Sequence, residues 1–442
     1  MRKICLATLL LFLFAGIASA QCTGSSPTWT TTIDQSSVNT CISNATSGDT
    51  INVSSGSASW TSVTISSSKA LTLACPSMSC IVTMTAVDVF DISVGTGPST
   101  GTVITGFTFD VSNTGFEGDI QLHLVSSASG PYAVAPRFYN NTISIGSSTQ
   151  TAVTTDGFGP ALWDHNTITG GEAAAETFHI DGGGVGCQPG CYNEDVTPGG
   201  ANMAFFENNS WSAGSAGFCE AEEAYYGAVF VLRYNQLTNC QVDIHADNGS
   251  GPGGRWGEWY NNQYINCCTS GEVIDWRGGS GVYWGNTVTN FRSGTNITVG
   301  PIGSDQTGTP PVQYQLGTGI GGTTFSPVYI WGSSVIESPS FAKQGPTDMT
   351  QIGTSPNSCS GYVGTDCNVV YSSTGAQPTT LLRCQTAADE TAGCPVSYTY
   401  TPYTYPHPLD NCPSTTFGVA TGCASGPPAP SGLTATVNPT VP

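Results

Sequence analysis

Short apolar runs that end in Gly, Asn, Ser or Asp recur along this chain, and long helical periodicity is absent. Six runs share one pattern, an aromatic or aliphatic strand closed by asparagine and reopened by a second strand. They are Phe138–Ile143, Leu162–Ile168, Phe205–Trp211, Val231–Leu237, Glu258–Tyr264 and Val282–Val288, with Gly106–Phe109 as an earlier copy. Their shared asparagines are 141, 166, 209, 235, 262 and 286, a step of about 24 residues if one coil is skipped between 166 and 209. Strands at such a step predict a solenoid, because each coil buries its apolar side chains only by stacking on its neighbours. Asparagine at one fixed point per coil suits a turn with left-handed backbone and a stacked hydrogen-bonded ladder. A propeller would need about 40 residues per blade. The pattern therefore predicts an all-β, single-stranded right-handed parallel β-helix.

The ends read differently. Val38, Cys41, Ile42 and Ala45 fall at helical spacing within Ser36–Ala45, which predicts a short helical cap on the first coil. Residues 301–426 lose the coil rhythm and are rich in Gly, Pro and Cys, predicting an irregular disulfide-stapled region that wraps the far end; 427–442 read as a Pro-rich tail. Residues 1–20 carry Arg2 and Lys3, an apolar run from Leu6 to Ile17, and Ala18-Ser19-Ala20, the pattern of a secretory signal. The expected body is 21–300.

Cysteine and charge narrow the class. Of 17 cysteines, one lies in the signal, and the even remainder predicts disulfides in an oxidising compartment, with local pairs 75/80, 187/191, 359/367, 384/394 and 412/423. A net charge of −20 disfavours nucleic acid and anionic membranes, and polyanionic glycans unless a cation bridges. A secreted monomer is expected.

Gly48-Asp49-Thr50-Ile51-Asn52-Val53-Ser54-Ser55-Gly56 resembles the opening coil of the pectate-lyase-like β-helix superfamily. Tyr400-Thr401-Pro402-Tyr403-Thr404-Tyr405-Pro406-His407-Pro408-Leu409 resembles the closing segment of its secreted bacterial members. Ala429–Val437 resembles the first strand of a fibronectin type III domain. The superfamily resemblance implies the fold and leaves the activity open among lyases, glycoside hydrolases, esterases and adhesins.

A second segment precedes the asparagine strand in most coils: Val153–Asp156, Phe178–Asp181, Cys219–Glu223, Val242–Asp247 and Val273–Arg277. Residues i and i+2 of a strand share a face, so His179/Asp181, Glu220/Glu222, Asp243/His245/Asp247 and Asp275/Arg277 are expected on one flank. In a chain only 9% charged, this crowding predicts a functional stripe rather than a merely solvated face. Asp181, Glu222, Asp243 and His245 are the catalytic candidates. His179, Glu220, Tyr225, Tyr226, Arg255, Trp256, Asp275, Trp276 and Arg277 would bind a sugar, whose apolar faces suit aromatic rings. A Ca2+ ion held by Glu220, Asp243 and Asp247 is the metal this stripe admits; no organic cofactor is implied. The preferred function is polysaccharide hydrolysis through paired carboxylates. The alternatives are a calcium-dependent lyase, with Arg233, Arg255, Arg277 or His245 as base, and a glycan-binding adhesin.

Overall fold

A computed structural model describes residues 21–94, 101–112, 118–124, 135–147, 151–157, 159–170, 173–182, 196–213, 218–245, 253–266, 273–290, 297–299, 326–333, 358–360, 369–371, 381–383, 396–412 and 417–420, with the single residues 149 and 377. For Glu220 and Glu222 only the backbone is described. The expected signal, the Pro-rich tail, Asp247 and the cysteine pair 187/191 lie outside these residues.

The chain is a parallel β-helix. Among the described residues, nine successive coils each contribute one strand to each of three sheets, here called sheets 1, 2 and 3, and five further strands extend sheet 1 to 14, against nine in each of the others. In the coil of Asn141, for example, Arg137–Tyr139 lies in sheet 1, Thr142–Ile145 in sheet 2 and Thr151–Gly157 in sheet 3. Alternation sends Phe138, Ile143 and Val153 inward, where they join one continuous core. Aromatic rings repeat in register there, with Phe138 stacked on Trp163 at 3.9 Å between centroids. The predicted cap is helix α1, Gln35–Asn44, started by Asp34, whose side chain accepts a hydrogen bond from the Ser37 N–H. It turns Val38, Cys41 and Ile42 onto the core, and the Cys22–Cys41 disulfide ties it to the first strand. The predicted Cys75–Cys80 staple is present.

The asparagines form a ladder at the corner between sheets 1 and 2. The backbone N–H of each of Asn141, Asn166, Asn209, Asn235 and Asn262 donates to the Oδ1 of the next, at 2.9 to 3.0 Å. The side-chain amides donate to the same oxygens and to backbone carbonyls of the preceding coil. The residue before each asparagine holds the left-handed backbone the corner requires, as at Asn140 (φ 55°) and Tyr234 (φ 52°). Asn166 bonds directly to Asn209, so no coil is skipped there. The extra length is an insertion between the strands Ala173–Asp181 and Ala204–Glu207 of a single enlarged coil. Asn235→Ala leaves the Asn209 N–H and the Phe206 carbonyl without their partner inside a buried corner. Its expected cost is about 2–3 kcal/mol, measurable by denaturant unfolding.

Residues 400–411 run along the outer face of sheet 1, back toward the earlier coils. The Tyr400 hydroxyl donates to Glu258, Arg233 donates to the carbonyls of Tyr403 and Thr404, the His407 N–H donates to Glu207, and Arg137 meets Asp410. The sheet has unusual outward residues because this strap covers them. Phe205, Val231, Trp256, Tyr260 and Tyr400 make a second apolar core between the two. Beneath the strap, sheet 1 carries buried ion pairs between its own strands, Arg137–Asp164 and Arg233–Glu207, each at 2.6 Å.

Candidate functional site

The register of sheet 3 settles which ionisable residues are neighbours. Thr154, His179, Glu223, Asp243 and Asp275 occupy one file across five adjacent strands. His123, Asp156, Asp181 and Tyr225 occupy the next file outward along the strands, and His245 and Arg277 follow Ile244 and Trp276 at the equivalent places. The residues between these files, Ile180, Ala224, Ile244 and Trp276, are in the core. Alternation thus generates a two-file stripe on one flank.

Several of the expected positions change. Glu222 is in register with Phe178 and Val242, both core residues, whereas Glu223 lies beside His179 and Asp243. A register shift between Glu220 and Glu222 breaks the simple i, i+2 count. Trp276 is fully buried inside the coils, since it alternates with Asp275 and Arg277. Trp256 belongs to the opposite flank, beneath the strap, where its indole N–H donates to Glu258. Neither tryptophan is a sugar platform. Arg255 is buried, and Arg233 is locked under the strap, which removes it as a base for elimination. The proposed calcium set is not assembled among the described residues: Asp247 is outside them and the Glu220 side chain is not described.

What the stripe does assemble is a carboxyl pair, Glu176 and Glu223, which the sequence reading missed or left aside. The two share a hydrogen bond. Burial, and then the proximity of Glu223, push the Glu176 carboxyl well above the usual range, so it keeps its proton. Burial works against ionised Glu223 as well. The hydrogen bond from Glu176, together with Arg277, His245 and Tyr225, outweighs it and holds Glu223 ionised. Arg277 donates to Glu223 at 3.2 Å and to Asp243 at 3.0 Å, and stands 3.5 Å from Asp275. Asp243 is fully buried under it, so it anchors Arg277 and is not presented to a ligand.

Rings complete the arrangement. Tyr225 lies between two imidazoles, His179 at 4.8 Å and His245 at 4.3 Å, both nearly parallel to it. Its hydroxyl donates to Glu223. The His179 Nδ1 is 2.9 Å from Glu176, and both side chains are about one-sixth exposed. Tyr226 and Gly227, both with positive φ, turn the chain out of sheet 3, and the Tyr226 ring stands 6.1 Å from Tyr225. Asp181 is half-buried between Asp156 and Tyr225 in its file. Further along, His123 pairs with Asp156 at 2.8 Å and faces Asp91 at 3.4 Å; its hydrogen bond to Asp156 raises its pKa despite burial.

Two other features are structural. Asp164, His165, Asp410 and Cys412 lie close enough to hold a metal. However, Cys412 is disulfide-bonded and Arg137 already occupies Asp164. A cavity of about 330 Å³ beside α1 is lined by Lys69, whose ammonium caps the Ile42 and Ser43 carbonyls at the helix end.

No family model matches this chain, and no curated protein does. Among solved structures it is similar to AlyGC, an alginate lyase of the PL6 family, at a TM-score of 0.41 and 11% identity, over 79% of this chain and 50% of that one. A point mutant of the same enzyme aligns at a TM-score of 0.38 and 11% identity, over 89% and 57%. The chain thus spans little more than half the length of these structures.

Proposed function

We propose that this protein hydrolyses a polysaccharide outside the cytoplasm, on the flank formed by sheet 3. The observation that carries the reading is the Glu176–Glu223 pair, one carboxyl keeping its proton and the other held ionised. Glycoside cleavage needs a protonated acid at the leaving oxygen and a second carboxylate at the anomeric centre, separated by roughly 5–9.5 Å. Two hydrogen-bonded carboxyls are too close to flank a sugar, so the pair acts as one proton-donating unit with partly exposed Glu176 as its outer member. Asp181, half-buried on the same strand, is the second carboxylate, which activates water or attacks directly. His179 orients Glu176, and Arg277 with Asp243 fixes Glu223. The Cys22–Cys41 and Cys75–Cys80 disulfides support a site of action in an oxidising compartment.

Elimination is less well served. It needs a cation to neutralise the substrate carboxylate beside a base, whereas three carboxylates already engage Arg277 and burial pushes the Tyr225 phenol up. The test is a panel of neutral, acidic and amino-sugar polysaccharides incubated with the oxidised protein, with and without Ca2+, read for reducing ends and for the ultraviolet absorbance of unsaturated products. Reducing ends without absorbance are expected. Absorbance that requires Ca2+ would replace hydrolysis by elimination, and binding without any product would make the stripe a recognition surface.

A further inference from the structure

We propose that Tyr225 is a positioning residue that fixes the direction of the proton between Glu176 and Glu223. The inference rests on the reading of that pair as the proton donor and adds the group that sets its polarity. Glu223 lies among groups on four strands. Glu176 and His179 are on the preceding strand and Tyr225 is on its own; Asp243 with His245, and Asp275 with Arg277, are on the two that follow.

One oxygen of Glu223, Oε1, receives both the Tyr225 hydroxyl and an Arg277 N–H, with the His245 ring nitrogen 3.7 Å away. A phenol has one proton, and here it is already donated, so this oxygen can only accept. A carboxylate that accepts at one oxygen from both an O–H and a guanidinium is stabilised as the ion. The proton of the inter-carboxyl hydrogen bond must then belong to Glu176, the outer member that His179 holds at 2.9 Å.

The ring has a separate task. Stacked between His179 and His245, it holds the imidazole that touches Glu176 and the imidazole that faces Glu223 on opposite sides of one plane. Phenylalanine preserves that stack and removes only the donor, so Tyr225→Phe isolates the hydroxyl. Two readouts apply, both on the full oxidised chain. The first is a carbon-13 titration of glutamate-labelled protein, which needs no substrate. In Tyr225→Phe, Glu223 should lose about tenfold in its preference for the ionised form, a titration displaced upward by about one pH unit. The second is the pH profile of kcat/KM on whichever polysaccharide is cleaved, whose acid limb should move upward by the same amount, with kcat affected more than KM.

A variant titration that superposes on the wild type overturns the proposal. A displaced titration with no polysaccharide cleaved supports the proton lock and defeats the hydrolase reading. Cleavage with an unmoved acid limb and an unmoved titration does the reverse.

Discussion

Glu223→Gln lowers turnover by about 10²- to 10⁴-fold, the range supplied by one general acid or base. The amide cannot carry the charge that keeps the proton on Glu176, and it offers an NH2 group where Glu176 needs an acceptor. Glu176→Gln should cost as much, and the double variant little more than either single one, because the two carboxyls act as a unit. The coils should remain folded, since Asp243 and Asp275 still engage Arg277. Initial rates on the cleaved polysaccharide, with far-ultraviolet circular dichroism as the check on folding, decide the matter. Glu222→Gln is the control for register: a larger loss at 222 than at 223 would mean that the file His179–Glu223–Asp243 is not the working one.

The second large effect lies on the opposite flank. Arg233→Met removes the cation from a buried pair in which Arg233 and Glu207 approach to 2.6 Å. It also removes the donors to the Tyr403 and Thr404 carbonyls and to the Tyr260 hydroxyl. Breaking one side of a buried pair costs about 3–5 kcal/mol, because the remaining charge is left without compensation. The loss depends on pH. Burial pushes the Glu207 carboxyl up to about 7 against the pull of Arg233, from 4.5 in the unfolded chain. The folded state thus binds the extra proton between those values, and the contribution of Glu207 to stability falls as pH rises from about 4.5 to about 7. Without Arg233 that fall extends to higher pH, so the variant is least impaired in mild acid. Hydrogen exchange of the strap and of the strand Val229–Arg233 should accelerate, and Arg233→Met/Glu207→Gln should recover part of the loss. Wild-type exchange rates in the single variant would show that the pair contributes nothing to holding the strap.

The solenoid was legible because its signal repeats. One asparagine per coil, each preceded by a residue with left-handed backbone, announced a corner that the structure closes with a hydrogen-bonded ladder. The stripe was legible as a region and less so by residue. His179, Asp181, Asp243, His245, Asp275 and Arg277 follow strict alternation, so counting by two placed them. Glu223 was missed in favour of Glu222 because counting forward from Glu220 crosses a register shift. Counting back by two from Tyr225 would have found it. Glu176 carried no such signal: it reaches His179 from three residues away on an irregular strand. Trp276 was assigned by closeness in sequence, although its neighbours Asp275 and Arg277 dictate that it point inward. Of the strap's partners, Arg137, Glu207 and Glu258 looked like ordinary polar strand residues and Arg233 like a candidate base, because the segment that buries them is remote in sequence.

That strap alters how the molecule comes apart. A bare stack of coils has only nearest-neighbour interfaces, so its ends fray and its stability accumulates rung by rung. Here a C-terminal segment is fastened in turn to the coils of Glu258, Arg233, Glu207 and Arg137, closing loops of up to some 270 residues. Those coils cannot peel away singly without releasing it. The middle of the solenoid should therefore unzip as one cooperative block, and the contacts that lock it join segments far apart in sequence and are among the slowest to form.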